Sequence, residues 1–441
     1  MASQLSLQAD VIVVGSGPGG ATVARELARA GGERRVLLLE RGFDHRPRAY
    51  YGTYLGPLLY ADRRSFLYTQ EGLNIIRPLM VGGATTMFTG SAAPPPAWLK
   101  DKYGLDIDQE VSETVEELEI APLPAELRGR ASTRLARAGQ ALGYDWQPLP
   151  KFMKPARSPR FDCGAKCMLG CRCGAKWTAA EFVDQAVEAG ADLRPRARVE
   201  RVLIEEGHVT GVEGRLAGRP FAARAETVVL AAGGIGTPRL LQASGLDGAG
   251  QGMTMDTTLM VYGFVRDRGI GNEPPMTWAW DNEAEGYMLS SLVDPWLNYP
   301  LAMVRQDWRH LRSWPKWNHI LGVMIKLTDE VSGGVFPDGR VSKPMTGGDR
   351  ERLASARLVA EKILVEAGAG PADILLSPLR GTHPSGTVRL GVMLDGNLQT
   401  EVEGLYVCDA SVFPEALGRP TVLTIIGLAR RLARHLRMDE G

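Results

Sequence analysis

Apolar and polar positions divide this chain into short hydrophobic runs separated by glycine-rich turns and helical stretches. Val11–Val14 is an unbroken β-branched run, as a strand buried on both faces requires. Residues 15–20 (GSGPGG) end it, and from Ala21 to Ala30 the apolar residues return at helical spacing. A second apolar run, Val36–Leu39, stops at Glu40. Strand, turn, helix and strand make a βαβ unit with G-x-G-x-x-G at Gly15, Gly17 and Gly20 and an acid twenty residues further on. Gly15 allows the tight turn, Gly17 lets backbone approach a pyrophosphate, and Gly20 lets helix and strand pack closely. The helix N-terminus offers free N–H groups to phosphates, and Glu40 would accept hydrogen bonds from an adenosine ribose. The unit predicts a bound adenine dinucleotide without separating FAD from NAD.

Further along, residues 41–62 read as loop. Gly82-Gly83-Ala-Thr85-Thr86 is either backbone lying against something flat or anionic, or a simple glycine turn. Helices are expected over 105–120, 131–142 and 179–189, and two short strands over 191–204, Val199 among them. Residues 227–245 repeat the strand, glycine turn and helix pattern, with Ala232 and Gly233 in the turn. Hairpins are expected over 325–341 and a helix over 349–368. Six of the nine tryptophans fall between Trp278 and Trp317; they line a pocket or form the core of a sheet. Cys163, Cys167, Cys171 and Cys173 share a glycine-rich loop with two lysines. Such thiols can converge on a metal or an iron–sulfur cluster, and they can equally be reduced thiols in a packed turn.

The length of 441 residues exceeds one ordinary core, so two domains, or one large domain with an insertion, are expected. Lys plus Arg and Asp plus Glu are both 51, which argues against a general affinity for nucleic acid or anionic membrane. No run of eighteen apolar residues suggests a transmembrane helix, and no signal-peptide pattern opens the chain. A cytoplasmic location is the expectation.

Three stretches together resemble the glucose-methanol-choline (GMC) family of FAD oxidoreductases: the first forty residues with VGGATTMFTGS (81–91), LAAGGIGTPRLLQASG (230–245), and the C-terminal segment. The last holds HPSGTVRLG (383–391), LYVCDASVFP (405–414) and RPTVLTI (419–425). The resemblance implies an α/β protein with a Rossmann-like FAD-binding domain and an α+β substrate domain built on an antiparallel sheet. The FAD-binding domain would comprise 1–96, 155–250 and 376–441, and the substrate or cap domain 97–154 and 251–375. Gly82, Gly83, Thr85 and Thr86 would lie along flavin and pyrophosphate, and backbone at Val199 would meet adenine. Ala232 and Gly233 would add FAD contacts. Asp409 and Ala410 would adjoin the pyrophosphate and ribityl chain, and Pro420 and Thr421 would start a helix facing the isoalloxazine. Met87 stands where the pyranose oxidases carry a flavin-linked histidine, implying non-covalent FAD.

His383 is then the expected base for oxidation of an alcohol or sugar-like substrate, since a group titrating near neutrality best takes a hydroxyl proton. Arg419 stands where the family has a second catalytic Asn or His. It would tune His383 or grip an anionic substrate group. In members resembling the three-subunit FAD glucose dehydrogenases, a cysteine cluster holds iron–sulfur and passes electrons on. Cys167 and Cys171 match that pattern, Cys163 and an extra Cys173 complete the ligand candidates, and a small subunit or acceptor protein would be the partner. The reading is a dehydrogenase; an oxygen-using alcohol oxidase and a non-redox lyase-type member are its rivals.

Overall fold

The computed structural model describes residues 4–438. Val11–Val14 is the central strand of a five-stranded parallel sheet ordered 405–407, 227–230, 11–14, 36–40, 192–195. Its neighbours run in register with it, Val14 opposite both Leu39 and Leu230. All four of its side chains are buried, which explains the continuous apolar run. Helix Pro18–Arg29 begins at Pro18, three residues earlier than its apolar spacing suggests, because proline fits the first helical turn, where its missing N–H costs nothing. Helices Ala179–Glu188 and Val422–Met438 pack against it. An antiparallel sheet of 197–205, 208–216 and 219–224, edged by Leu5–Gln8, lies beside the parallel one.

The second core is a mainly antiparallel sheet centred on Thr258–Phe264, Ile320–Leu327, Tyr287–Ser291 and Trp278–Asn282. Helix Gly347–Glu366 covers it and opens with a capping box between Thr346 and Asp349. Residues 97–154, read from sequence as one insertion, divide between the cores. Leu99, Leu105 and Ile107 join the dinucleotide-side core, whereas Leu135, Trp146 and Leu149 join the other. Ion pairs explain the first attachment. Arg25, almost fully buried, donates to Glu117 at 2.6 Å and lies 3.5 Å from the centroid of the Phe182 ring. Arg430 also donates to Glu117, and Arg434 to Glu110 and Glu113. The acidic helix Asp108–Glu117 is thereby neutralised by the last helix.

The tryptophans between 278 and 317 serve the sheet and the surface. Trp317 is buried and donates to the Asp294 carbonyl at 2.9 Å, Trp280 stacks on Tyr144 with centroids 4.7 Å apart, and Trp308 is exposed.

Three glycines hold these parts together by main-chain contact. A Cβ on Gly20 would meet the Gly15 carbonyl oxygen at 1.9 Å, one on Gly19 the Cys408 oxygen at 1.9 Å, and one on Gly234 the Pro384 oxygen at 2.0 Å. A Cβ on Gly17 would meet nothing within 4 Å. In urea denaturation, Gly234→Ala is therefore expected to cost about 1–3 kcal/mol by overpacking. Gly17→Ala should cost less than about 1 kcal/mol, the scale of a changed N-cap. Equal losses at the two positions would contradict the contact assignment.

Candidate active site

A cleft of about 570 Å³ runs along the C-terminal ends of the parallel strands. That is where open α/β sheets bind ligands. Its walls come from distant parts of the chain: the Gly15–Gly19 turn, Glu40, Ile75–Met80, the Ala197–Glu200 backbone, Ala232–Gly233 and the C-terminal segment. Of the residues expected at a cofactor, Gly15, Gly17, Glu40, Gly83, Val199, Ala232, Gly233, Asp409, Ala410 and Thr421 line it. Gly20, Gly82, Thr85, Thr86 and Pro420 stand behind the wall. Gly82 adopts φ 90° and donates its N–H to Ser16 Oγ at 3.2 Å. Thr85 Oγ1 donates to the Gly82 carbonyl at 2.6 Å and accepts the Ala179 N–H at 2.9 Å, fixing the turn to helix Ala179–Glu188.

Two carboxylates shape the cleft from within. Glu40 accepts from Ser16 N–H at 3.0 Å, Ser16 Oγ at 2.6 Å and Gly42 N–H at 2.6 Å, so Ser16 positions it. Asp409 accepts from Gly233 N–H at 2.8 Å, Thr237 Oγ1 at 2.5 Å and Ser411 N–H at 2.7 Å. It thus staples the second glycine turn to the C-terminal segment.

Four arginines not singled out from sequence, Arg41, Arg77, Arg198 and Arg239, also line the cleft. Burial holds the Arg41 and Arg77 guanidiniums below their ordinary value; Asp62 opposes this, and mutual repulsion among the arginines adds to it. Excess positive charge beside two helix N-termini and an open Gly17 suits an anionic, diphosphate-bearing ligand.

His383 lies in the same cleft, 24% exposed. Its Nδ1 is 2.7 Å from Asp256 Oδ2, so Nδ1–H donates to the carboxylate and Nε2 keeps a free lone pair. The other Asp256 oxygen accepts the Gly418 N–H at 3.1 Å. Asp256 itself has φ 46°, a strained conformation held by its surroundings. Asp329 braces that loop, accepting Met255 N–H at 3.0 Å and Thr257 N–H at 3.0 Å; burial pushes its carboxyl up to about 6. Lys326 donates to Thr382 Oγ1 at 2.7 Å, and burial lowers its ammonium to about 8. Burial first, then the Lys326 charge, hold His383 below the ordinary imidazole value, while Asp256 pulls the other way. Asp256, Lys326 and Asp329 belong to no motif; they are single residues in strands and loops of the second core, with no local sequence signal.

Arg419 is buried and does not line the cleft. Its Nη2 is 2.8 Å from Asp281 and bonds Glu283 as well.

The cysteine expectation is not supported as a metal centre. Cys163 and Cys173 sulfurs are 3.8 Å apart and Cys171 and Cys173 3.7 Å, and Cys163, Cys167 and Cys173 pack with Leu123 and Met153. No group of three or more His, Cys, Asp or Glu that could hold a metal ion is found among the described residues. Two buried lysines stand beside them instead. Lys176 donates to the carbonyls of Phe88 at 2.6 Å and Cys167 at 3.0 Å, and Lys151 to that of Thr89 at 2.8 Å. A hydrogen bond from Cys163, then the lysine charges working against burial, lower the Cys167 thiol below its ordinary value. The cluster buttresses the 82–91 stretch from behind.

Residues 70–260 and 350–429 match two family models described as GMC oxidoreductase. A GMC-type oxidoreductase of Mycobacterium tuberculosis, itself uncharacterized, is 35% identical over 97% of this chain and 75% of its own length. The long-chain-alcohol oxidase FAO4B of Arabidopsis thaliana is 24% identical over 95% of this chain and 66% of its own. Among solved structures, pyridoxine 4-oxidase from Mesorbium loti superposes with a TM-score of 0.70 at 18% identity, covering 98% of this chain and 99% of that one.

In a proton NMR titration, the His383 ring should protonate below the free-imidazole value of about 6.5. Asp256→Asn removes the anion that favours the charged form and should move the midpoint lower. Lys326→Met removes a like charge and should move it higher. A shift in the same direction for both variants would contradict the arrangement.

Proposed function

The chain belongs to the GMC oxidoreductase family, whose members bind FAD, and from that premise we propose that it oxidises an alcohol at non-covalent FAD, with His383 taking the hydroxyl proton. The observation that carries this reading is the His383–Asp256 pair opening into the same cleft as the Gly15–Gly19 turn. Gly17, the Ala232–Gly233 turn and the arginines Arg41, Arg198 and Arg239 would hold the diphosphate, and Glu40 the ribose. Within 82–91 only Gly83 and Ala84 line the cleft, and neither can form a bond to the flavin, which supports non-covalent binding. When bound, FAD supplies the two-electron acceptor for hydride leaving the carbinol carbon.

The remaining tasks fall to the chain. Asp256 holds the imidazole by Nδ1–H, so Nε2 is the atom that accepts the hydroxyl proton. Burial and Lys326 keep that nitrogen unprotonated near neutral pH. Thr421 and Val422 bring the positive end of the last helix to the cleft, where it favours negative charge. We read Arg419 as a positioning residue: paired with Asp281 and Glu283, it pins the turn whose Gly418 N–H holds Asp256. The substrate class is a primary or secondary alcohol, in keeping with the alcohol named for the FAO4B relative. Electrons passing to an acceptor other than oxygen is the dehydrogenase reading. Oxygen is the rival, favoured by relatives named as oxidases.

Anaerobic mixing of the yellow holoprotein with a panel of alcohols should bleach the flavin band. His383→Ala should retain bound flavin yet reduce it about 10²–10⁴-fold more slowly, the usual contribution of a positioned base. An undiminished rate would remove His383 from the chemistry. Reoxidation by air, compared with an artificial dye, distinguishes oxidase from dehydrogenase.

A further inference from the structure

Exposed large apolar side chains concentrate in two segments of this protein, residues 55–76 and 296–311. Leu301, Val304, Trp308 and Leu311 recur at i, i+3, i+7 and i+10, and Leu301 and Trp308 are 68% and 64% exposed. They run along helix Asn298–Met303 and the adjoining turns of Trp308–His319. Arg305, Arg309, Arg312 and Lys316 recur at similar spacing alongside, all exposed. Asp307 is the only acid from 296 to 317, and its carboxylate caps the Arg309 N–H at 2.9 Å.

A second segment abuts this one. Arg305 donates to the Gly72 carbonyl at 3.1 Å and lies 4.6 Å from the centroid of the Tyr68 ring. The hairpin holding those residues begins at Arg63, Arg64 and Ser65, three consecutive residues with φ of 49°, 56° and 72°. Such strain persists only where surrounding structure holds it. It presents Phe66, 64% exposed, with both arginines beside it. Leu55, Leu58 and Leu59 extend the apolar surface along helix Gly56–Tyr60.

We propose that this face attaches the protein to an anionic lipid bilayer, with Leu301, Trp308 and Phe66 entering the interface and the arginines meeting lipid phosphates. An apolar stripe flanked by a basic one is the pattern of a segment lying in the headgroup layer. Charge selects lipid over an apolar protein partner. Residues 55–66 and 296–316 carry six Lys or Arg against Asp62 and Asp307, on a chain whose charges balance as a whole at 51 each. Both acids are already engaged, Asp62 with Arg77 at 3.1 Å. No helix among the described residues is long and apolar enough to cross a membrane, so the attachment is peripheral. Ile76, itself exposed, also lines the cleft, which places the attached face beside the cleft mouth.

Co-sedimentation of the flavin-loaded protein with vesicles of phosphatidylcholine plus phosphatidylglycerol, against phosphatidylcholine alone, tests this. The expected result is binding to the anionic vesicles that weakens as salt is raised. Leu301→Gln with Trp308→Gln should bind about tenfold more weakly. Arg309→Gln with Arg312→Gln should lose about fivefold per charge. Both double variants alter exposed side chains, so unchanged circular dichroism and flavin content serve as controls. No binding to anionic vesicles, or equal binding by the Trp308 variant, would overturn the proposal. So would a salt-insensitive dimer in sedimentation velocity that the same variant dissolves, since the face would then belong to a second copy of this chain.

Discussion

The site depends on backbone passing within touching distance of backbone. Gly20 rests on Gly15, Gly19 on Cys408 and Gly234 on Pro384, and at each point a single methyl would overlap a carbonyl oxygen. The last two contacts join the first and second glycine turns to the C-terminal segment, from which they are separated by about 390 and 150 residues of chain. The cleft is the space left between them. Glycine is required here chiefly for its missing side chain, since Gly19, Gly20 and Gly234 do not have positive φ.

Once the backbone is gathered, electrostatics decides what the cleft can do. Four guanidiniums face few acids at one end, an arrangement that repels itself until an anion arrives. At the other end the balance is finer. Burial and an ammonium work against one carboxylate, and the balance favours the neutral form of an imidazole that lines the cleft. Asp256 is held by Gly418 on one side and by the Asp329-braced loop on the other, so the His383 ring is oriented by groups from both cores.

Two residue sets show how far a motif can be read without its surroundings. Arg419 occupies a position where the family has a reactive side chain, yet Asp281 and Glu283, more than a hundred residues away, meet its charge. The four cysteines have spacing compatible with a cluster. No metal-ligand group is found there among the described residues, and the neighbouring lysines bond the carbonyls of the 82–91 stretch. In both cases the side chain's chemistry was legible and its partners were not.

The parallel βαβ unit, its glycine turn and two helices, expected over 179–189 and 349–368 and found at Ala179–Glu188 and Gly347–Glu366, were determined by the sequence alone. Each rests on local periodicity, on residues a few positions apart, or on a contiguous motif. The division of residues 97–154 between two cores, the Asp256–Lys326 environment of His383, the arginine crowd and the exposed apolar face were decided by tertiary structure. They arise from charges and surfaces that meet only after chain closure, and a pairing between residues 127 positions apart, such as that of His383 with Asp256, leaves no trace in either local pattern.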